Sequence, residues 1–324
     1  VPFWEVLEEQ GVETTIVRIP ANFPPSGSAS RELSGMGTPD ILGGYGTYSF
    51  YTTAPERLGE SPAGDVQEVE VRDGIVRASL RGPPNPLLVE LEELRADFTV
   101  YVDPVRPVVK IEVGDAEAIL QAGEWSDWLR VDYALPMLQT LQGIVRFHLK
   151  SVRPDFELYA TPVNLDPLDP AMPISSPADF AADLAEGGRY YTQGFPEDTD
   201  AISDGAFDVG GFLAQAAFAQ DGLRRQYEEL LAEFEDGLLF EYFGFLDQVS
   251  HIMWRAMDPE HPAYDEARDG PYAGVIEDLY VEADVMVGMA LSRLDELGGG
   301  RTLTVMSDHG FTSWRRAFRL HASL

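Results

Sequence analysis

Three rhythms of hydrophobic and polar residues follow one another along the chain. Residues 3–10 (FWEVLEEQ) space their apolar side chains as a helix does, with Pro2 suited to the first turn and Gly11 to the stop. Residues 14–19 (TTIVRI) are a short β-branched run that predicts a buried strand. A loop rich in Pro, Gly and Ser follows over 22–46 and includes SGMGTPD. It reads either as a shaped surface loop near a site or as a plain connector. From residue 50 to 164 the period shortens to two. VQEVEV and IVRASL flank Asp73-Gly74, a strong hairpin signal, and FTVYV, VVKIEV, AEAIL, WLRVDY, GIVRFHL and FELYATPV follow with turns between. That alternation predicts an antiparallel β-rich insertion.

The last third returns to mixed α/β patterning. Residues 203–234 read as mostly helical and end in the amphipathic LRRQYEELLAEF. The apolar run LLFEYFGFL predicts a strand buried on both faces. A long helix is expected over 272–297, then Gly298-Gly299-Gly300, then a second buried strand, TLTVM. Strand, helix, strand predicts a right-handed crossover with the two strands parallel in one sheet. The division expected is therefore 1–50 as part of an α/β domain, 51–164 as the β-rich insertion and 165–324 as the rest of the α/β domain.

Composition narrows the function. The 44% hydrophobic fraction is that of a globular chain, and no apolar run reaches the roughly 20 residues that cross a bilayer. The chain begins at Val1 with no signal peptide in view, which leaves the compartment open, an extracytoplasmic one included. Cysteine is absent, so a metal would have to sit on His, Asp and Glu. The net charge of −32 repels nucleic acid and anionic membranes. Lys110 and Lys150 are the only lysines, a composition that suits either a high-salt habitat or a GC-rich genome. A chain this acidic would hold a phosphate ester only where local cations overcome its field, and metal ions would do so.

Two short motifs carry candidate chemistry. FLDQVSH places Asp247 at the end of the first apolar strand with His251 four residues on, a spacing that puts both on one helical face. VMSDHG places Asp308 and His309 together after the second strand. Each motif alone is common as a cap or a surface pair. Jointly, at the carboxyl edge of one sheet, they predict two metals a few ångströms apart, the arrangement that clamps attacking and leaving oxygens in phosphoryl transfer. His148 reads as a strand residue and His261 as a turn residue, while His321 is near enough in sequence to be considered as a ligand.

At these residues the chain resembles the type I phosphodiesterase/nucleotide pyrophosphatase branch of the alkaline phosphatase superfamily. LDQVSH and SDHGF look like that family's second and third metal motifs. NFPPSGSASRELSGMGTPD, GEWSDW, LYATPVNLDP and YYTQGFPEDT resemble its bacterial members more loosely. The resemblance implies an alkaline-phosphatase-like, mostly parallel sheet with helices on both faces. It implies two zinc ions, with Mn or Mg as substitutes: Asp247 and His251 on the ion that activates water, Asp308 and His309 on the ion that carries the nucleophile. It also implies an Asp ligand and a Thr or Ser nucleophile upstream of Val1, and a further His beyond Leu324. Ser34, Thr38 and Asp40 match no nucleophile motif, so none is assigned. The implied activity is hydrolysis of a small-molecule phosphate ester, first a phosphodiester or nucleotide pyrophosphate. Alternatives are a phosphomonoesterase, phosphonate hydrolase, sulfatase or phosphomutase, or a non-catalytic acidic binding protein.

Overall fold

The computed structural model describes residues 1–59, 61–85, 93–135, 139–313 and 315. The amino-terminal helix α1 (Phe3–Glu9) leads into β1 (Thr14–Val17), all of whose residues are buried. Beside it run β2 (Arg31–Leu33) and, far along the chain, β15 (Leu238–Glu241), both parallel to β1. β14 (Ser175–Ser176) closes the other edge antiparallel to β2, giving the order β14-β2-β1-β15. Past β1 the chain turns sharply at Arg18, whose φ is 58°. Gly35 passes so close that a Cβ there would lie 2.3 Å from the Arg18 carbonyl oxygen, so only glycine fits.

The alternating stretch forms three further sheets. The first is an antiparallel meander of β5 (Ile75–Pro84), β6 (Glu93–Val102), β7 (Val108–Val113) and β8 (Ala116–Gln121). Alternate residues point inward, as in VVKIEV, where Val109, Ile111 and Val113 are buried. The second pairs β9 (Leu129–Leu135), β10 (Gln139–Val145) and β13 (Asn164–Leu165) antiparallel. The third has the order β11-β12-β3-β4, with β3 (Ser49–Thr52), β4 (Asp65–Glu68), β11 (Phe147–Ser151) and β12 (Glu157–Ala160). Tyr51 and Phe147 pack on Phe98 with centroids 4.9 and 5.2 Å away.

The helices are α2 (Phe180–Asp183), α3 (Thr199–Asp204), α4 (Val209–Glu233), α5 (Phe245–Met257), α6 (Glu266–Asp269) and α7 (Val275–Leu297). The chain forms two compact units. One is Val1–Gln226 with Asp236–Tyr242; the other is Tyr227–Glu235 with residues 243 onward. The second unit has its own core, in which Tyr227, Phe245, Met286 and Ala290 are buried and Leu231, Phe243 and Leu279 pack around them.

This architecture corrects the expected fold. The protein is a β-rich α/β molecule of several small mixed and antiparallel sheets, not a mostly parallel alkaline-phosphatase-like sheet covered by helices on both faces. Among the described residues, parallel pairing joins only β1 to β2 and β15, and β3 to β4. The apolar run LLFEYFGFL is a strand for four residues only. Beyond it, Phe245, Val249, Met253 and Ala256 fall at helical spacing and bury one face of α5. TLTVM is not a strand: residues 301–310 carry no regular structure, and Val305 and Met306 are exposed. The expected crossover therefore does not form. The Asp73-Gly74 turn does, with φ of 53° and 74° and reciprocal bonds between Arg72 and Ile75. Its hairpin does not extend, because β4 pairs parallel with β3 while β5 pairs with β6.

Candidate functional site

Asp247 lies in the first turn of α5, not at the end of a strand. A carboxylate is favoured there by the amide dipoles of the helix start. One turn on, His251 shares its face, and its Nε2 lies 3.4 Å from Asp247 Oδ1. The irregular segment after α7 brings in His309, whose Nε2 also lies 3.4 Å from Asp247 Oδ1. The structure thus gathers three of the four predicted residues on one oxygen. Asp308 is the outlier: its carboxylate is 84% exposed and 4.0 Å from the His309 ring nitrogen.

Asp247 Oδ2 accepts a bond from Gln248, 3.0 Å away. Oδ1 is buried and has no hydrogen bond, because neither imidazole approaches it with hydrogen-bond geometry. His309 Nδ1 lies 3.2 Å from the carbonyl of Gly310, which can only accept, so that nitrogen bears the proton. In the neutral ring Nε2 is then an acceptor facing another acceptor. A cation between them, or a second proton on the ring, would relieve the opposition.

Zinc is the ion the family resemblance implies, and the donor set suits it. Neutral imidazoles whose far N–H is held by a backbone carbonyl are a usual zinc ligand form. Two donors bound tetrahedrally at ordinary zinc distances are about 3.3 Å apart, close to the two separations on Asp247 Oδ1. Among the described residues, however, no three His, Asp or Glu side chains form a ready-made metal centre. The residues fit the ion by type and by two of their separations, and binding would have to draw them together.

Aromatic side chains that the motif reading passed over surround this cluster. Phe311 sets its ring edge-on to His251 at 5.0 Å and lies 5.4 Å from His309. Its other neighbour is Trp254, stacked at 5.5 Å. Asp247, His251 and Trp254 fall at i, i+4 and i+7, one stripe of α5 opposite its buried face, and Asp258 follows as the extended residue that ends the helix. That spacing was the available signal, and the SDHGF sequence already placed Phe311 beside the histidine.

The remaining predicted residues have local duties. His148 sits in β11 with Nδ1 3.2 Å from the Glu124 carbonyl and its ring stacked on Trp125, and burial pushes its pKa down. His261 Nδ1 accepts the Ala263 amide in an exposed turn. Ser34 donates to the Asn22 carbonyl, and the buried carboxylate of Asp40 accepts the amides of Leu42, Gly44 and Thr47. His321 lies outside the described residues.

The carboxyl ends of β1 and β15 hold a different feature. Arg18, 6% exposed, follows β1 and donates to the Tyr191 carbonyl at 2.7 Å. Glu241 ends β15, and both of its carboxylate oxygens are buried without a hydrogen bond. Burial pushes its carboxyl up to about 8 despite the opposing pull of Arg18.

No family model matches the chain, and no curated protein and no solved structure matches it either.

Proposed function

We propose that the chain takes part in metal-dependent hydrolysis of phosphate esters, phosphodiesters first, with its metal site on Asp247, His251 and His309 and with Asp308 as an outer ligand. One observation carries this reading: a buried, unpartnered carboxylate oxygen with two imidazole nitrogens 3.4 Å from it. Such an oxygen is expensive to leave unpaired, and a divalent cation is the partner its neighbours could share. The bound ion would polarise a phosphoryl oxygen. The chain's own residues hold the site: Gly310 fixes the tautomer of His309, Gln248 anchors the far oxygen of Asp247, and Phe311 packs against both rings. A strongly acidic chain gains most from such an ion, since without it the field opposes a phosphate ester.

The exposure of Asp308 favours a second reading, a non-catalytic acidic protein whose Asp and His residues are surface pairs. Zinc titration by calorimetry separates the two. Wild type should bind zinc, and Asp247→Asn, His251→Ala and His309→Ala should each weaken binding by about tenfold or more. His148→Ala should leave it unchanged. Zinc binding that survives all three substitutions, or no binding by wild type, removes the metal site.

A further inference from the structure

The segment GEWSDW has no role at the Asp247 cluster, yet it builds a second constellation within the first unit. Its centre is Arg146, the residue between β10 and β11, which is 8% exposed. The backbone there is fixed: the Arg146 amide donates to Thr161 Oγ1 at 3.0 Å, and the Thr161 amide donates back to the Arg146 carbonyl at 2.9 Å. The guanidinium is fixed as well. Its Nε donates to the Ser126 carbonyl at 2.7 Å, and the ring of Phe218, from α4, has its centroid 4.0 Å from Cζ. The Trp128 ring lies 5.6 Å from the same carbon and packs edge-on to Tyr191 at 4.6 Å. These contacts leave the Nη1 and Nη2 edge, which makes no hydrogen bond among the described residues.

That edge is short of negative charge. The carboxylate paired with it, Asp127, stands 3.6 Å from Nη2 and is fully exposed, so water screens the pair. Burial lowers the Arg146 pKa, and the positive charge of Arg225 acts in the same direction, against the pull of Tyr191 and Asp127. Arg225 is held on the Gly187 carbonyl, while its own carboxylate, Asp221, is 3.8 Å from Nε and 73% exposed. Two guanidinium groups that repel each other, each with only a loose and solvated counter-charge, are arranged as a receptor for an anion is.

The geometry also selects the kind of anion. One guanidinium edge offers parallel N–H donors that match the two oxygens of a planar carboxylate. Trp128 and Phe218 are half-buried, so each keeps part of a ring for an apolar body attached to that carboxylate. The field of a chain of net charge −32 opposes a phosphate dianion about twice as strongly as a monoanion.

We propose that Arg146, Arg225, Trp128 and Phe218 form a binding site for a small aromatic monocarboxylate. Benzoate is the probe, with benzamide as its uncharged counterpart and inorganic phosphate as the competing oxyanion. The chain is labelled with 5-fluorotryptophan, and Trp128→Phe identifies the Trp128 resonance among the five tryptophans. In low-salt buffer free of metals and other carboxylates, benzoate should shift that resonance saturably. Benzamide and phosphate should each need at least about tenfold more ligand. Arg146→Lys keeps the charge and loses the fork, so it should weaken benzoate binding about tenfold. Arg225→Gln lies at an exposed position and should fold; it should weaken binding about threefold through the lost field.

A Trp128 resonance indifferent to benzoate, benzamide binding as tightly as benzoate, or phosphate binding more tightly would overturn the proposal. So would benzoate binding unchanged by Arg225→Gln, a result that holds even where Arg146→Lys fails to fold. With zinc absent throughout, the outcome is independent of the ion at Asp247.

Discussion

Every residue of β1 and β3 is buried, whereas α7 buries only Ile276, Met286 and Ala290 along 23 residues. The two units differ throughout in this way. The first interlocks four small sheets, and within it Tyr51 donates to the Ser79 carbonyl and Tyr133 to that of Arg81. The second rests on a few helices around one small cluster, and it holds the candidate chemistry on exposed rings. The comparison shows where each kind of order comes from. Strand pairing organises the first unit and helix packing the second. Both keep buried polar atoms without a hydrogen bond, Glu241 in the first and Asp247 Oδ1 in the second, and the latter has two half-exposed imidazoles beside it, a setting a ligand can complete.

The largest effect expected from this difference is a core truncation. Phe147 is fully buried against Phe98 in the sheet region, so Phe147→Ala should cost about 4 kcal/mol in a urea melt. Phe245→Ala should cost less, about 3 kcal/mol, because the surrounding cluster is smaller and its rim can relax into the space. Equal losses, or the reverse order, would show that the helical unit is as tightly packed as the sheets.

Much of this contrast was legible in the sequence, and its limits have a physical cause. The alternation in VVKIEV and WLRVDY marked β7 and β9, because period-two burial is a property of the strand itself. The helices α4 and α7 were likewise foretold. Pairing partners were not, since a strand's pattern does not name its neighbour: β4 chose β3 over the hairpin that Asp73-Gly74 invited. The run LLFEYFGFL misled because a short apolar stretch suits a buried strand and a buried helix equally. At the site, the i, i+4 spacing correctly joined Asp247 to His251. The approach of His309 survives although the strand expected to deliver it does not form.

An intermediate effect concerns pH, and Glu241 sets its sign. Its carboxyl is held protonated up to about 8 in the folded chain but loses its proton near 4.5 when unfolded. Between those values the folded state binds the extra proton, so stability falls as pH rises through that window. Glu241→Gln keeps the shape and removes the titration. At pH 5 the variant should nearly match wild type; at pH 9 it should be more stable, by roughly 3–4 kcal/mol. Parallel pH profiles for the two proteins would mean that Glu241 is ionised and paired in solution.

The smallest effect should come from α7, and its smallness is the informative part. Val281 and Val285, one turn apart, are 59% and 44% exposed, with Tyr280 and Leu291 exposed nearby. Threonine matches valine in shape and β-branching and nearly in helix propensity, so the exchange alters little except the polarity of one methyl position. If water covers this face, the Val281→Thr, Val285→Thr double variant should change stability by less than about 0.5 kcal/mol. If instead the two methyl groups are removed from water by any contact, each buried hydroxyl would need a partner it does not have, and a larger loss would follow. The same pair of proteins, compared by sedimentation, tells which contact it is. A wild type that self-associates while the double variant stays monomeric would place a second copy of the chain on α7, whereas two monomers with unequal melts would place the contact within one chain.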